Sequence, residues 1–115
     1  MFSVLLSLYI KEQSSHLKQS LDSLLAQSQL PDEIVLVKDG PLALELDAVV
    51  SDYATRYRSL KVVTLPKNQG LGRALNEGLK YCSYDLVARM DTDDIAKPNR
   101  FEKQLEIFKN HPEID

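Results

Sequence analysis

The sequence contains no tryptophan, only one cysteine and no long apolar run. A single cysteine, Cys82, cannot form an internal disulfide, so a small secreted scaffold stapled by disulfides is excluded. No apolar stretch approaches the roughly 20 residues that a membrane-spanning helix requires. No charged and then apolar leader precedes the first strand-like run either. We therefore expect a cytoplasmic protein without a transmembrane segment, either free or peripheral to the inner face of the cell membrane.

Basic residues are not in excess. Lys and Arg number 14 against 17 Asp and Glu, which gives a formal net charge of −3 and a pI of about 5.3. Nucleic-acid binding normally depends on a clustered Lys/Arg surface, so we expect no nucleic-acid partner. The hydrophobic share of 43% and the charged share of 27% are ordinary for a globular protein, and 115 residues suit one domain.

Apolar runs of strand type alternate with segments whose apolar residues recur at helical spacing. The predicted strands are Phe2–Ile10, Glu33–Val37, Leu60–Leu65 and Asp85–Met90. The predicted helices are Ser15–Gln27 with Ser14 or Ser15 as N-cap, Leu42–Tyr57, Leu71–Cys82, and a fourth with Pro98 in its first turn. This alternation predicts an α/β fold of three layers, a mostly parallel, Rossmann-like sheet with helices on both faces.

The strongest chemical signal is the acidic stretch Asp91-Thr92-Asp93-Asp94, directly after the fourth strand. Three carboxylates within four residues repel one another unless a cation neutralises them. Carboxylate oxygens suit Mg²⁺ or Mn²⁺, and Mg²⁺ is usually held by one or two carboxylates together with substrate phosphates. A solvated acidic turn is the simpler interpretation, because a D-x-D pattern matches many sequences by chance.

The position of this stretch favours the metal site. In open parallel sheets, ligands bind outside the carboxyl ends of the strands, where the strand order reverses. Tyr9 ends the first predicted strand, Asp39 ends the second, and the acidic stretch ends the fourth. We therefore expect these groups to meet at one edge of the sheet.

Such groups would suit a nucleoside diphosphate that carries a transferable group. Tyr9 could stack on a base, Asp39 could accept hydrogen bonds from a base or ribose, and Arg73 could pair with a base or phosphate. A metal at Asp93 would bridge the two phosphates and neutralise charge on the leaving diphosphate. The structural alternatives are a core aromatic at Tyr9, a turn residue at Asp39 and a solvated helix residue at Arg73.

Several short motifs resemble, in order and spacing, the N-terminal half of the inverting family 2 glycosyltransferases of GT-A fold. The matching segments are Ser3-Val4-Leu5-Leu6 ending in Tyr9, Val37-Lys38-Asp39-Gly40, Asn68-x-Gly70, Ala74-Leu75-Asn76-x-Gly78, Asp91-Thr92-Asp93-Asp94 and Pro98-x-Arg100-Phe101. The resemblance covers nearly the whole chain. It implies that residues 1–115 form one nucleotide-diphospho-sugar-binding domain, truncated before the acceptor-binding half.

The resemblance also implies roles for individual residues. It implies that the nucleotide-sugar is contacted by Ser7, Tyr9, Asp39 and Asp91. Side-chain chemistry adds Arg73 to this set. Asp93 would be the direct ligand of Mn²⁺ or Mg²⁺, and Asp94 would orient the loop. Four positions depart from the family pattern, which often has Pro, Asn, a second Asp and Arg where this chain has Ser7, Ile10, Lys38 and Leu75. The last two bear on base preference, and Arg73 is the candidate to replace the missing arginine.

For the parent protein the resemblance implies sugar transfer from a UDP-sugar to a hydroxyl of a saccharide or glycolipid acceptor, in polysaccharide or glycoconjugate synthesis. Inverting transfer needs a general base. The family carries that carboxylate in its second half, so we expect no catalytic residue before Asp115 and no activity from this fragment alone. A sheet edge exposed by truncation would favour a homodimer.

Other interpretations fit the sequence less well. A non-catalytic, Mg²⁺-binding module of flavodoxin-like topology would gather acidic residues after the first strand, where the chain has Leu8-Tyr9-Ile10. Sugar nucleotidyltransferases resemble one another through a Gly-rich loop at the same place. A dinucleotide-binding Rossmann domain needs such glycines to approach the pyrophosphate. The stretch Lys11-Glu12-Gln13-Ser14-Ser15 has none.

Overall fold

Four strands and three helices alternate along the chain in the computed structural model, which describes residues 1–27 and 30–90. The strands are β1 (Ser3–Leu8), β2 (Glu33–Lys38), β3 (Leu60–Thr64) and β4 (Val87–Arg89), and the helices are α1 (Ser14–Leu25), α2 (Leu44–Arg56) and α3 (Leu71–Leu79). The predicted alternation is confirmed. The predicted fourth helix and the acidic stretch lie outside the described residues. None of the described helices is long and apolar enough to cross a membrane.

All strand pairs in the sheet are parallel, in the order β3-β2-β1-β4. Ser3 of β1 lies opposite Glu33 of β2 on one side and Val87 of β4 on the other. The chain moves outward from β1 to β3 and then returns to the other side of β1, so the strand order reverses between β1 and β4. This order differs from the flavodoxin-like one, in which β1 lies between β2 and β3.

Two apolar clusters cover the two faces of the sheet. Alternate residues of β1 point to opposite faces, as a strand requires. Val4, Leu6 and Leu8 belong to the cluster that includes residues of α1 and α2, whereas Leu5 belongs to the cluster that includes Ala74 of α3. The predicted helices on both faces are therefore confirmed. The apolar stripes of α1 and α2 face the first cluster through Leu17, Leu21, Leu24, Leu46, Val49, Val50 and Tyr53.

The start of α1 corrects one prediction. Its N-cap is Gln13, which has an extended backbone and no side-chain capping hydrogen bond, so Ser14 and Ser15 already lie inside the helix. The backbone N–H of Leu17 donates to the carbonyl oxygen of Gln13 at 3.1 Å and closes the first turn. The first turn places Leu17 on the buried side of the helix. The two serines are not the N-cap.

A buried carboxylate joins the strands at the amino edge of the sheet. Glu33 is 4% exposed. It accepts hydrogen bonds from the Ser3 hydroxyl at 2.8 Å, from the Ser83 backbone N–H at 2.7 Å and from the Ser83 hydroxyl at 2.9 Å. Lys61 of β3 forms an ion pair with it. Since Ser83 lies between α3 and β4, this cluster links β1, β2 and β3 to the segment that leads into β4.

Candidate functional site

The carboxyl end of β1 supplies the first candidate residues. Ser7 is half-buried in β1 opposite Val37 of β2, and Tyr9 is the first residue after the strand. Tyr9 is 44% exposed. The alternative of a core aromatic is therefore wrong, and the ring is available to a ligand at this edge.

Asp39 follows β2 and is held beside the end of β1. Its backbone N–H donates to the carbonyl oxygen of Leu8 at 2.7 Å. The two predicted positions after β1 and β2, Tyr9 and Asp39, are thus neighbours at the carboxyl edge of the sheet. This is where ligands bind in open parallel sheets.

The Asp39 side chain has partners that the sequence did not indicate. Only 3% of the residue is exposed. One carboxylate oxygen accepts the backbone N–H of Gln69 at 2.7 Å, and the other accepts the N–H of Gly70 at 3.1 Å. The expected turn chemistry at Asp39 and Gly40 is present, but the carboxylate bonds to a loop about 30 residues further along the chain.

Gly40 lets the two loops approach closely. Its φ of +89° lies in the region that favours glycine, and a Cβ there would come within 2.6 Å of the Asn68 backbone nitrogen. The Asn68 side chain donates to the carbonyl oxygen of Asp39 at 3.4 Å. The motif Asn68-x-Gly70 therefore packs directly on Lys38-Asp39-Gly40, and the motif that precedes α3 is part of the same site.

The side chains at two positions that depart from the family pattern, Lys38 and Leu75, are engaged by the fold itself. The ammonium group of Lys38 forms an ion pair with Asp47 of α2 at 2.9 Å. Leu75 is buried in the apolar cluster under α3. Neither side chain takes the place of a base-contacting acid or arginine. Arg73, in the first turn of α3, is exposed and follows the loop that Asp39 holds.

The acidic residues themselves lie beyond the described part of the chain. Met90, the last described residue, is buried beside β1, where its N–H donates to the carbonyl oxygen of Leu5 at 3.0 Å. Asp91 and Asp93 are outside the described residues. Within residues 1–27 and 30–90, no group of three or more His, Cys, Asp or Glu side chains could hold a metal.

Comparison with known proteins identifies the family. The family model described as glycosyl transferase family 2 matches residues 3–114. The chain belongs to glycosyl transferase family 2. The family resemblance that the motifs indicated is thereby confirmed.

Two similar proteins are named glycosyltransferases. The amylovoran biosynthesis glycosyltransferase AmsE of Erwinia amylovora is 54% identical over 114 residues, which cover 99% of this chain and 42% of AmsE. The UDP-Gal:alpha-D-GlcNAc-diphosphoundecaprenol beta-1,3-galactosyltransferase of Escherichia coli is 42% identical over 98% of this chain and 41% of its own length. This family 2 chain therefore spans about two fifths of the length of these relatives.

A solved structure agrees with the fold of this family 2 chain. S. aureus TarS 1-349, in complex with UDP-GlcNAc, superposes with a TM-score of 0.82 and is 27% identical, covering 96% of this chain and 32% of the TarS chain. The GT-A fold, with its parallel Rossmann-like sheet, is thereby confirmed.

Proposed function

We propose that this chain is the donor-binding part of a glycosyltransferase and that it binds a nucleoside-diphosphate sugar, with a UDP-sugar as the expected donor. The observation that carries the proposal is the reversal of strand order between β1 and β4. Ligands of open α/β sheets bind at such a switch point. Tyr9 and Asp39 lie at that edge, and the acidic stretch follows β4 in the sequence.

The proposed contacts follow from side-chain chemistry at this edge. The exposed ring of Tyr9 would stack on the base, and Ser7 and Asp91 would contact the nucleoside or ribose. Arg73 would pair with a phosphate or base, because it is an exposed residue in the first turn of α3. The relatives support the choice of donor, since one is named for UDP-Gal and TarS was solved with UDP-GlcNAc.

A divalent cation fits the chemistry of the acidic stretch. The carboxylate of Asp93 would hold Mn²⁺ or Mg²⁺, since hard oxygen ligands suit these ions. When bound, the ion would neutralise charge on the diphosphate.

For the parent protein we propose transfer of a hexose to a hydroxyl of a saccharide or glycolipid acceptor during polysaccharide or glycoconjugate synthesis. The name of the galactosyltransferase, which includes a GlcNAc-diphosphoundecaprenol, supports a glycolipid acceptor, and the name of AmsE, an amylovoran biosynthesis glycosyltransferase, supports a biosynthetic role. The general base would lie beyond Asp115. We propose that residues 1–115 bind the donor without catalysing transfer.

Titration of UDP with and without Mn²⁺ tests the proposal. We expect Mn²⁺ to strengthen binding of UDP to the wild-type chain, and Asp93→Ala to abolish that gain while leaving the weak, metal-independent binding. Asp85→Ala is the matched control, because it removes one negative charge from an exposed residue before β4. Isothermal titration calorimetry measures the UDP affinity of each protein with and without Mn²⁺. Equal Mn²⁺ dependence in wild type and Asp93→Ala would remove Asp93 from the site, and no UDP binding by the wild type would refute the donor site.

A further inference from the structure

We propose that Gly70 is a positioning residue for the donor site. It lets the loop 67–70 present two backbone N–H groups to the Asp39 carboxylate, and these hold the carboxylate in one orientation for the nucleotide. The inference deepens the proposed function and rests on it, with Asp39 as one of the nucleotide contacts that the family resemblance implies. A residue without a side chain thereby acts on donor binding through its backbone alone.

The Asp39 carboxylate is oriented by the loop and keeps capacity for a ligand. One oxygen accepts the N–H of Gln69 at 2.7 Å, and the other accepts the N–H of Gly70 at 3.1 Å. A carboxylate offers about four acceptor positions, so these two bonds leave room for a donor on the nucleotide. Two fixed donors, one on each oxygen, restrict rotation of the carboxyl group. We therefore expect the group to be oriented before the nucleotide binds, which lowers the entropic cost of the contact.

The backbone of Gly70 has a conformation that other residues rarely adopt. Gly70 is the N-cap of α3, with a φ of 91° and a ψ of 159°. This region of backbone space is essentially restricted to glycine. A Cβ at Gly70 would meet no atom within 4 Å. Glycine is therefore required at this position by the backbone conformation and not by lack of space.

Gly70 joins two segments that are each fixed to the sheet. Before the loop, the N–H of Leu65 donates to the carbonyl oxygen of Lys38 at 3.0 Å. After it, Ala74 is fully buried and Gly78 packs closely on the sheet. An alanine at position 70 would change the turn between these segments. Because α3 is packed on the sheet whereas the loop is exposed at Gly70, we expect the loop to move and its N–H groups to leave the carboxylate.

Gly70→Ala and Gly72→Ala form a matched pair of variants. Each adds one methyl group in open space at the start of α3, but Gly72, unlike Gly70, does not have a positive φ. We expect Gly70→Ala to weaken UDP binding about tenfold, and Gly72→Ala to leave it within about twofold of the wild type. Calorimetry with Mn²⁺ present measures the UDP affinity of each protein.

A double-mutant cycle shows whether Gly70 acts through Asp39. Asp39→Ala removes the acceptor of both loop N–H groups and the carboxylate that they orient. If Gly70 acts by orienting that carboxylate, adding Gly70→Ala to Asp39→Ala changes the UDP affinity by less than about twofold. A role confined to the stability of the loop or of α3 would give a loss of equal size in both backgrounds.

Gln69→Pro is a second variant, because proline has no N–H and the substitution deletes one of the two donors while keeping Gly70. We expect a loss of UDP affinity that also disappears in the Asp39→Ala background. Amide hydrogen exchange of the ligand-free chains follows the loop itself. We expect slow exchange at residues 69 and 70 in the wild type and faster exchange there in Gly70→Ala, with Leu36 of β2 still protected.

Each outcome decides the inference. A loss of UDP affinity in Gly70→Ala that disappears in the Asp39→Ala background, with faster exchange at residues 69 and 70, supports it. Wild-type affinity in Gly70→Ala, or an equal loss in both backgrounds, overturns it while the proposed donor site stands. If Gly70→Ala loses the protection of Leu36, Gln69→Pro decides by the same criteria. If the wild type binds no UDP, the proposed function itself fails and the inference fails with it.

Discussion

At the scale of single residues, one hydroxyl joins the two helices that share a face of the sheet. The buried Tyr53 of α2 donates to the Asp22 carboxylate of α1 at 2.5 Å. The guanidinium of Arg56 lies over the Tyr53 ring, 4.6 Å from its centroid. The hydroxyl of Tyr53 therefore links α2 to α1, and a hydrogen bond to a charged group contributes more than a neutral one.

We expect Tyr53→Phe to lower the free energy of unfolding by about 1–2 kcal/mol at neutral pH, because it leaves Asp22 without this donor. Urea denaturation measures the change. Tyr57→Phe is the control, since its ring packs near the same guanidinium at 5.4 Å and the substitution keeps the ring. A loss as large in Tyr57→Phe as in Tyr53→Phe would contradict the assignment of the stability to the Asp22 hydrogen bond.

The same hydroxyl predicts a difference at high pH. Burial, and then the Asp22 carboxylate, raise the pKa of Tyr53 from 10.0 to about 12. A raised pKa contributes stability that is complete below pH 10 and is lost as the pH rises through about 12. The difference in unfolding free energy between wild type and Tyr53→Phe should therefore shrink across that window.

At the scale of elements, α3 approaches the sheet through a glycine. A Cβ on Gly78 would lie 2.5 Å from Leu5 Cδ1 and 2.6 Å from Val37 Cγ2, and both side chains are buried. The absence of a side chain lets α3 lie directly on β1 and β2. Gly72, in the first turn of the same helix, has open space where its Cβ would be.

This pair of glycines predicts effects of opposite sign. Gly78→Ala should destabilise the protein by about 1–3 kcal/mol, because the overpacked Val37 is branched and held in a strand. Gly72→Ala should stabilise it by about 0.5–1 kcal/mol, because alanine loses less backbone entropy in a helix. Thermal unfolding followed by circular dichroism measures both variants. A stabilising Gly78→Ala would show that α3 can move away from the sheet without loss.

At the scale of the whole molecule, periodicity was enough to predict all seven described elements. The apolar residues of β2 form a continuous run without helical spacing, which is typical of a buried strand. In α1, by contrast, Leu17, Leu21 and Leu24 recur at helical spacing. Strand order could not be predicted in the same way, because a strand's apolar pattern does not specify its neighbours. A mostly parallel sheet was predicted, but the order β3-β2-β1-β4, which makes β1 and β2 neighbours, was not.

The hydrogen-bond partners of the buried carboxylates could not be predicted from the sequence either. Asp39 was a candidate from its position after a strand, but its bonds to Gln69 and Gly70 join residues 30 and 31 positions apart. Glu33 was read only as the polar start of a strand, although it is buried and joined to Ser3, Lys61 and Ser83. Such contacts depend on which loops meet after folding. No local pattern indicates them.

Because Glu33 links three strands and the segment before β4, it makes the stability of the sheet depend on pH. Burial alone would raise its pKa, but Lys61 and the N–H and hydroxyl groups of Ser83 and Ser3 outweigh burial and lower the pKa from 4.5 to about 2. A lowered pKa contributes stability that is complete above pH 4.5 and is lost as the pH falls through about 2. The shift corresponds to about 3 kcal/mol.

The wild-type free energy of unfolding should therefore fall by about 3 kcal/mol between pH 4.5 and pH 2 from this group alone. Glu33→Gln should be less stable at pH 7 and should lack that part of the acid dependence, because a carboxamide does not titrate and cannot accept at both of its terminal atoms. Glu77→Gln is the matched control, since Glu77 pairs with Lys80 at the exposed surface of α3, where such pairs contribute little. Urea denaturation from pH 7 to pH 2 separates the three proteins. Parallel curves for wild type and Glu33→Gln would mean that the amino edge of the sheet is held by its backbone pairing and apolar packing, and that the carboxylate adds nothing to either.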